Sequence, residues 1–338
     1  MNKSAPEVLA RVREPIQHAL RAAVGGIEDD RMRLIASYQL GWSDREGTPV
    51  PFRGGKGLRP TLAVVSAQAG GGTLDDGLAG AVAVELVHNF SLLHDDVMDR
   101  DLERHHRPTG WAVFGEGQAI LAGNAMLTRA LEVLADDGER GRRALPTMLA
   151  ATQRLISGQS DDLYFEGAAA ITVDDVLHME AGKTAALLAC SASIGALAGG
   201  APAATVAALS GFGHELGMAF QLVDDILGIT GDPAVTGKSA SSDVRAGKRS
   251  APVVAALDAG TEASRRLADL LAGGAPSTDE DVVLATKLIE EAGGIDWAAR
   301  EADGHLGRAL AQLETLPAPE HVVADLVGLA RYVVDRDH

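Results

Sequence analysis

The sequence predicts an all-α protein, a large single-domain bundle of helices around a central cleft, and three observations carry that prediction. Hydrophobic residues make up 46% of the 338 residues but aromatics only 4%, a bias that suits packed helices and withholds the Tyr, Phe and Trp that sheets favour. Apolar residues recur at helical spacing in segment after segment, and no stretch shows the two-residue alternation of a half-buried strand. There is no repeat of fixed period, and the helical pattern runs on to about Val334, which argues for one bundle over 1–338 rather than linked domains.

Taken in order, the periodic segments are roughly 6–24, 28–40, 60–69, 78–99, 112–135, 142–157, 173–197 and 202–228, with further helices after 250. Clusters of Gly, Pro and polar residues separate them, at 41–58, 70–76, 107–115, 199–202, 231–250 and 273–278, and read as helix connections. The first segment is broken by Glu7, Arg11, Arg13, Glu14 and Arg21, so it has no signal-peptide core. No segment is expected to span a bilayer. Cys190 is the only cysteine and lies in an apolar run, which excludes an internal disulfide and suits a small buried residue in a reducing cytoplasm. Thirty Lys and Arg stand against 47 Asp and Glu, a net charge of −17, and that field repels nucleic acid and anionic membranes. A phosphate-bearing ligand therefore needs local cations.

The segment 78–99 ends in a cluster that carries chemistry. In ELVHNFSLLHDDVMDRD, Asp95 and Asp99 stand at i and i+4, on one helix face about 6 Å apart along the axis, with Asp96 about 100° around. Carboxylates this close repel one another, and a bound cation removes the penalty. Oxygen donors without thiolates suit Mg²⁺, which takes one or two carboxylates and completes its shell with water and substrate phosphate. A solvated acidic helix end is the alternative until other parts of the chain are weighed.

A second helix, GMAFQLVDDILGITGD, delivers Asp224 and Asp225 at the end of an apolar face. Copying the first spacing would put a carboxylate at 228, where Gly228 stands; Gly228→Asp is expected to change activity little. Cations are supplied from three places. Arg53-Gly54-Gly55-Lys56-Gly57-Leu58-Arg59-Pro60 is a glycine-rich basic loop entering a helix, suited to phosphate through backbone amides, Lys56 and Arg59. Lys183-Thr184 interrupts the apolar run of 173–197, and the loop after Asp225 holds Lys238, Arg245, Lys248 and Arg249. Its Gly237-Lys238-Ser239 lies one residue too far along for a Walker A loop and follows a helix, which excludes nucleotide hydrolysis of that type.

With these pieces in order, the sequence resembles the polyprenyl synthetase family, the trans-isoprenyl diphosphate synthases. GGKGLRP, DDVMD, GKTA and FQLVDD resemble four of its motifs in their order, between Gly54 and about Ser250. The resemblance implies an isoprenoid-synthase helical bundle, a homodimer, and condensation of an allylic diphosphate with isopentenyl diphosphate. It implies three Mg²⁺ ions held by Asp95, Asp99 and Asp224 with Asp96 and Asp225 in support. Lys56, Arg59 and His88 would take isopentenyl diphosphate. Arg104, Lys183, Thr184, Gln221, Lys238 and Lys248 would face the allylic substrate, with Asp95, Asp99, Arg104, Lys183, Asp224 and Lys238 as the catalytic set. Three positions depart from the pattern: Gly228, His105 beside Arg104 where arginine is usual, and Asn124 where aspartate is common. His105 would serve isopentenyl diphosphate best when protonated.

Ser91, one turn before Asp95, leaves an open path for a growing tail, while Phe90 is either a partial floor or an ordinary core aromatic. DDVMD lacks the two-residue insertion common in bacterial farnesyl synthases, so the expected product is geranylgeranyl diphosphate, with farnesyl diphosphate next. Other readings are weaker. Glu85 and His88, with Glu103 and His106, give two E-x-x-H pairs on one stretch of chain, whereas a di-iron site draws them from facing helices. The histidines lack zinc spacing. Asn124, Thr128 and Glu132 echo a terpene-cyclase motif in the wrong segment. A non-catalytic subunit that binds an active homologue is the alternative from another class, motivated by Gly228 and His105.

Overall fold

The helices form where the 3.6-residue pattern places them, and the differences fall at interruptions. The computed structural model describes residues 5–51, 55, 57–104, 106–168, 170–231 and 241–334. In chain order it contains α1 (Ala5–Gly25), α2 (Asp30–Gln39), α3 (Leu58–Ala69), α4 (Leu78–Met98), α5 (Gly110–Phe114), α6 (Glu116–Asp136), α7 (Gly138–Glu166) and α8 (Val173–Glu180). There follow α9 (Ala186–Ala198), α10 (Ala203–Thr230), the short α11 (Ser242–Arg245), α12 (Ala251–Asp258), α13 (Glu262–Leu271), α14 (Asp279–Glu291), α15 (Gly294–Leu313) and α16 (Glu320–Val334). The all-α expectation holds.

Three interruptions escaped the periodicity. The segment 112–135 is two helices, because Gly115 takes a left-handed φ of 89° that only glycine adopts without strain. The segment 173–197 is broken by a π-helical turn at Ala181–Ala185. Finally, β1 (Glu103–Arg104) pairs antiparallel with β2 (Arg107–Pro108), two-residue strands too short to show any alternation. The helix 78–99 therefore does not continue to Glu103 and His106, which lie on this hairpin and its turn.

The chain divides into two compact units. The first comprises Met1–Thr152, Leu187–Gly213 and Gln312–Leu329. In it α4 is apolar nearly all round, with Leu86, Val87 and Leu93 fully buried, as befits a central helix. It packs along α3 and α6. Close approach of α3 and α9 depends on Gly195, where a Cβ would lie 2.8 Å from the Ala63 carbonyl carbon. Arg11 pairs with Asp325 at 2.5 Å and ties α1 to α16. The second unit comprises Gln153–Ala186, His214–Ala311 and Ala330–His338. One part of its core joins Val176, Met179, Leu222, Val223 and Val254, and another Ile229, Val244, Val253, Leu267, Val282 and Leu288. Among the described residues one stretch, Val173–Ala198, is long and apolar enough to cross a membrane by length and composition. It is two-thirds buried within the protein and carries Glu180 and Lys183, and a core helix meets the same criteria.

Candidate active site

In the first unit the functional side chains gather at the C-terminal end of α4. Asp95 and Asp99 are both partly exposed, and the Asp99 amide still donates to the Asp95 carbonyl at 2.8 Å, so the i,i+4 spacing is kept although Asp99 is already the cap. Asp96 is different. It is 1% exposed and accepts a hydrogen bond from Arg104 Nε at 2.7 Å. Burial pushes its pKa up, and the Arg104 charge opposes that shift. Its other oxygen has no hydrogen-bond partner among the described residues. Arg104 reaches Asp96 because the hairpin is pinned: Tyr38 Oη donates to the Pro108 carbonyl at 2.6 Å, and the Arg107 guanidinium lies 4.4 Å over the Tyr38 ring. Trp111 Nε1 donates to the Asp101 carbonyl at 2.8 Å and secures the same segment.

Arg59, at the start of α3, brings Nη1 to 3.4 Å from His88 Nε2 on α4, so two residues read from separate motifs meet. Beside them burial raises the Glu85 pKa and the Arg59 charge opposes it. Phe90 is buried, its ring 4.8 Å from that of His94 in an edge-on contact. At Gly123 on α6 a Cβ would stand 3.4 Å from Phe90 Cδ2. The Ser91 hydroxyl turns back to donate to the His88 carbonyl at 2.8 Å. Lys56, His105 and Lys238 lie outside the described residues.

In the second unit a chain of hydrogen bonds crosses three elements. Thr184 Oγ1, in the π turn, donates to Gln221 Oε1 at 2.6 Å. Gln221 Nε2 donates to Asp225 Oδ1 at 2.7 Å. Asp225 Oδ2 accepts the Ala251 amide at 3.0 Å, at the start of α12. Burial pushes the Asp225 pKa up to about 6; these donors oppose the shift and the Asp243 charge adds to it. Asp225 is thus a buried clamp, whereas Asp224 beside it is partly exposed. Glu180 is also buried, and burial together with the nearby Asp225 and Asp162 charges raises its pKa well above the carboxylate range. Lys183 Nζ pairs with Asp162 Oδ2 at 2.5 Å. The amide of Lys248, a partly exposed residue, donates to the Asp243 carbonyl at 2.9 Å.

The sequence reading missed Asp162, Glu180 and Asp243. Asp162 sits in GQSDD, a further adjacent acidic pair that could have been noted; Glu180 and Asp243 offered no local signal. Gly228 also reads differently in the structure. A Cβ there would stand 2.6 Å from Asp243 Cγ and 3.2 Å from its Oδ1, with Oδ2 nearer still. The position that lacks a carboxylate of its own is covered by one from another segment.

Comparison with known proteins agrees with this geometry. The chain is 44% identical to (2E,6E)-farnesyl diphosphate synthase of Mycobacterium tuberculosis over 340 aligned residues, covering 99% of this chain and 94% of that one. It is 42% identical to the geranylgeranyl diphosphate synthase of the same organism over 333 residues, covering 98% and 93%. The fold superposes on the crystal structure of a polyprenyl synthetase from Streptomyces coelicolor A3(2) with a TM-score of 0.93 at 45% identity, covering 98% and 99%. The polyprenyl synthetase family model matches residues 48–289, and the chain belongs to that family.

Proposed function

We propose that this protein is a short-chain trans-prenyl diphosphate synthase that condenses an allylic diphosphate with isopentenyl diphosphate, using Mg²⁺, to give geranylgeranyl diphosphate. The observation that carries the reading is the end of α4. Asp95 and Asp99 stand one turn apart where the helix dipole is negative, so two carboxylates and the dipole all call for a cation. No group of three or more His, Cys, Asp or Glu side chains forms a ready cage among the described residues, and Mg²⁺ ordinarily takes few carboxylates, with water and phosphate oxygens for the rest. Asp95, Asp99 and Asp224 are the proposed holders, and three ions are proposed per active site.

When bound, the ions supply Lewis-acid stabilisation of charge on a departing diphosphate. Asp96 holds Arg104 in place by their buried pair, and Asp162 holds Lys183, so both cations are oriented before a diphosphate binds. Arg59 and His88, already in contact, are proposed to take isopentenyl diphosphate. Diphosphate leaves the allylic substrate first, the isopentenyl double bond attacks the allylic cation that remains, and the proton then lost goes to the released diphosphate.

Two observations support the C20 product. Phe90 is committed to packing beside His94 and α6, and Ser91, with its hydroxyl bonded to its own helix, adds no bulk one turn before Asp95. The farnesyl alternative is favoured by the similarity to the mycobacterial farnesyl diphosphate synthase, 44% identical against 42% for the geranylgeranyl enzyme. Incubation of the purified chain with Mg²⁺ and both diphosphates, followed by chromatography, is expected to show the C20 diphosphate. A C15 end point selects the farnesyl reading, C30 or longer refutes both, and no turnover by the chain alone favours a non-catalytic subunit. Asp95→Ala and Asp224→Ala are each expected to lower kcat by about 100-fold or more.

A further inference from the structure

Arg104 and Arg107 stand directly opposite one another in the hairpin of β1 and β2. Like charges at opposed positions of a strand pair repel, and so short a pair of strands has little stability of its own. Something outside the hairpin must hold it and draw the two guanidinium groups apart. Arg104 turns to Asp96 on α4, with Nε 2.7 Å from Oδ1. Arg107 turns the other way, to the end of α2.

There Arg107 Nη1 donates to the Tyr38 carbonyl at 3.3 Å and Nη2 to the Ser43 carbonyl at 3.1 Å. A cation suits carbonyls at the C-terminal end of a helix. Its Cζ lies 4.4 Å from the centroid of the Tyr38 ring, a cation–π contact. Tyr38 itself is buried, edge-on to Phe114 at 5.3 Å, and its hydroxyl donates to the Pro108 carbonyl at 2.6 Å. Burial raises the Tyr38 pKa although Arg107 opposes the shift, so the phenol keeps its proton and remains a donor. One residue of α2 thus grips both residues of β2, and through the strand pairing it holds β1.

We propose that Tyr38 and Arg107 are positioning residues for the allylic diphosphate, acting through Arg104. An arginine that commits Nε to a carboxylate keeps its two Nη groups, a fork that matches a phosphate group. The Asp96 side chain is 1% exposed and that of Arg104 25%, so the pair is anchored at its buried end while the arginine stays within reach of a ligand. Release of the clasp frees the hairpin, and the order that α2 supplies must then be imposed when diphosphate binds. Immobilising a side chain of this kind weakens affinity by about two- to tenfold.

The inference rests on the proposed prenyltransferase reaction, and its test reads binding without turnover. Isothermal titration measures the Kd of geranyl diphosphate, a C10 allylic diphosphate, for the purified full chain with Mg²⁺ and no isopentenyl diphosphate. Arg104→Gln is expected to weaken binding about tenfold or more, and Arg107→Gln and Tyr38→Phe each about two- to tenfold. In an Arg104→Gln background either is expected to change Kd by less than about twofold, because the group they hold is gone. A residue that merely supports the fold weakens binding alike in both backgrounds. Equal losses in the two backgrounds therefore overturn the proposal, as does wild-type affinity in either single variant. If thermal melts show Arg107→Gln to be misfolded, Tyr38→Phe, which keeps the ring, decides by the same comparison. A wild type that binds geranyl diphosphate, with Arg104→Gln its equal, removes only this inference, whereas a wild-type chain that binds none overturns the functional reading as well.

Discussion

Adjacent aspartates in this protein do different work, and burial decides which. Asp95 and Asp224 are partly exposed, while Asp96 and Asp225, one position later in each cluster, are buried against Arg104 and against Gln221 with the Ala251 amide. An isolated buried carboxylate is costly, so each buried one has drawn donors to itself. The same logic applies to His214, away from either cluster. Burial lowers its pKa below the ordinary 6.5; His305, Arg154 and Arg308 act in the same direction and Glu215 opposes them. On acidification the unfolded chain then takes up this proton first. Stability falls as pH drops through about 6.5 and stops falling below the folded pKa. His214→Gln is expected to show a smaller loss of Tm between about pH 7 and 5 than wild type, read by circular dichroism melts.

The π turn at Ala181–Ala185 places Lys183 and Thr184, and its setting rests on two glycines. At Gly158 on α7 a Cβ would stand 2.8 Å from the Met179 carbonyl oxygen and closer still to the Lys183 amide; at Gly182 it would stand 2.9 Å from the Arg154 carbonyl oxygen. The two backbones touch, and α7 then holds Asp162 one turn along from Gly158 for its pair with Lys183. Gly158→Ala must push α7 off the turn, at a cost of about 1–3 kcal/mol from overpacking. A lowered Tm together with a raised KM for the allylic diphosphate is the expected outcome. A drop in Tm with unchanged KM would show that the contact only holds the fold.

For the whole molecule, the homodimer that the family resemblance implies calls for apolar surface on a chain of net charge −17. Ile120 and Leu121 on α6 are large hydrophobic residues left about half exposed, and burying them against a second copy offsets the repulsion between two acidic chains. Light scattering is expected to give twice the chain mass. A monomer at micromolar concentration would count against the dimer. The Cys190 thiol, buried and pushed up to about 12 by that burial, is expected to react with thiol reagents only after unfolding, so it can report that transition.

Where a feature depended on nearest neighbours along the chain, the sequence was enough. Periodicity gave the long helices, and the i,i+4 spacing gave Asp95 and Asp99 their common face, because both follow from the pitch of one helix. The carboxylate clusters and their accompanying cations also stood in the sequence as four ordered motifs. The interruptions were hidden: a π turn, a two-residue hairpin and the break at Gly115 change one or two dihedrals without altering the apolar pattern around them. So were the partners. That Asp96 answers to Arg104, Asp225 to Ala251 and Lys183 to Asp162 depends on burial and on segments 8 to 26 residues apart. Gly228 shows the difference most clearly. Read along the chain it is a carboxylate lost, and only the folding back of Ser242–Arg245 puts Asp243 in the space that the glycine leaves.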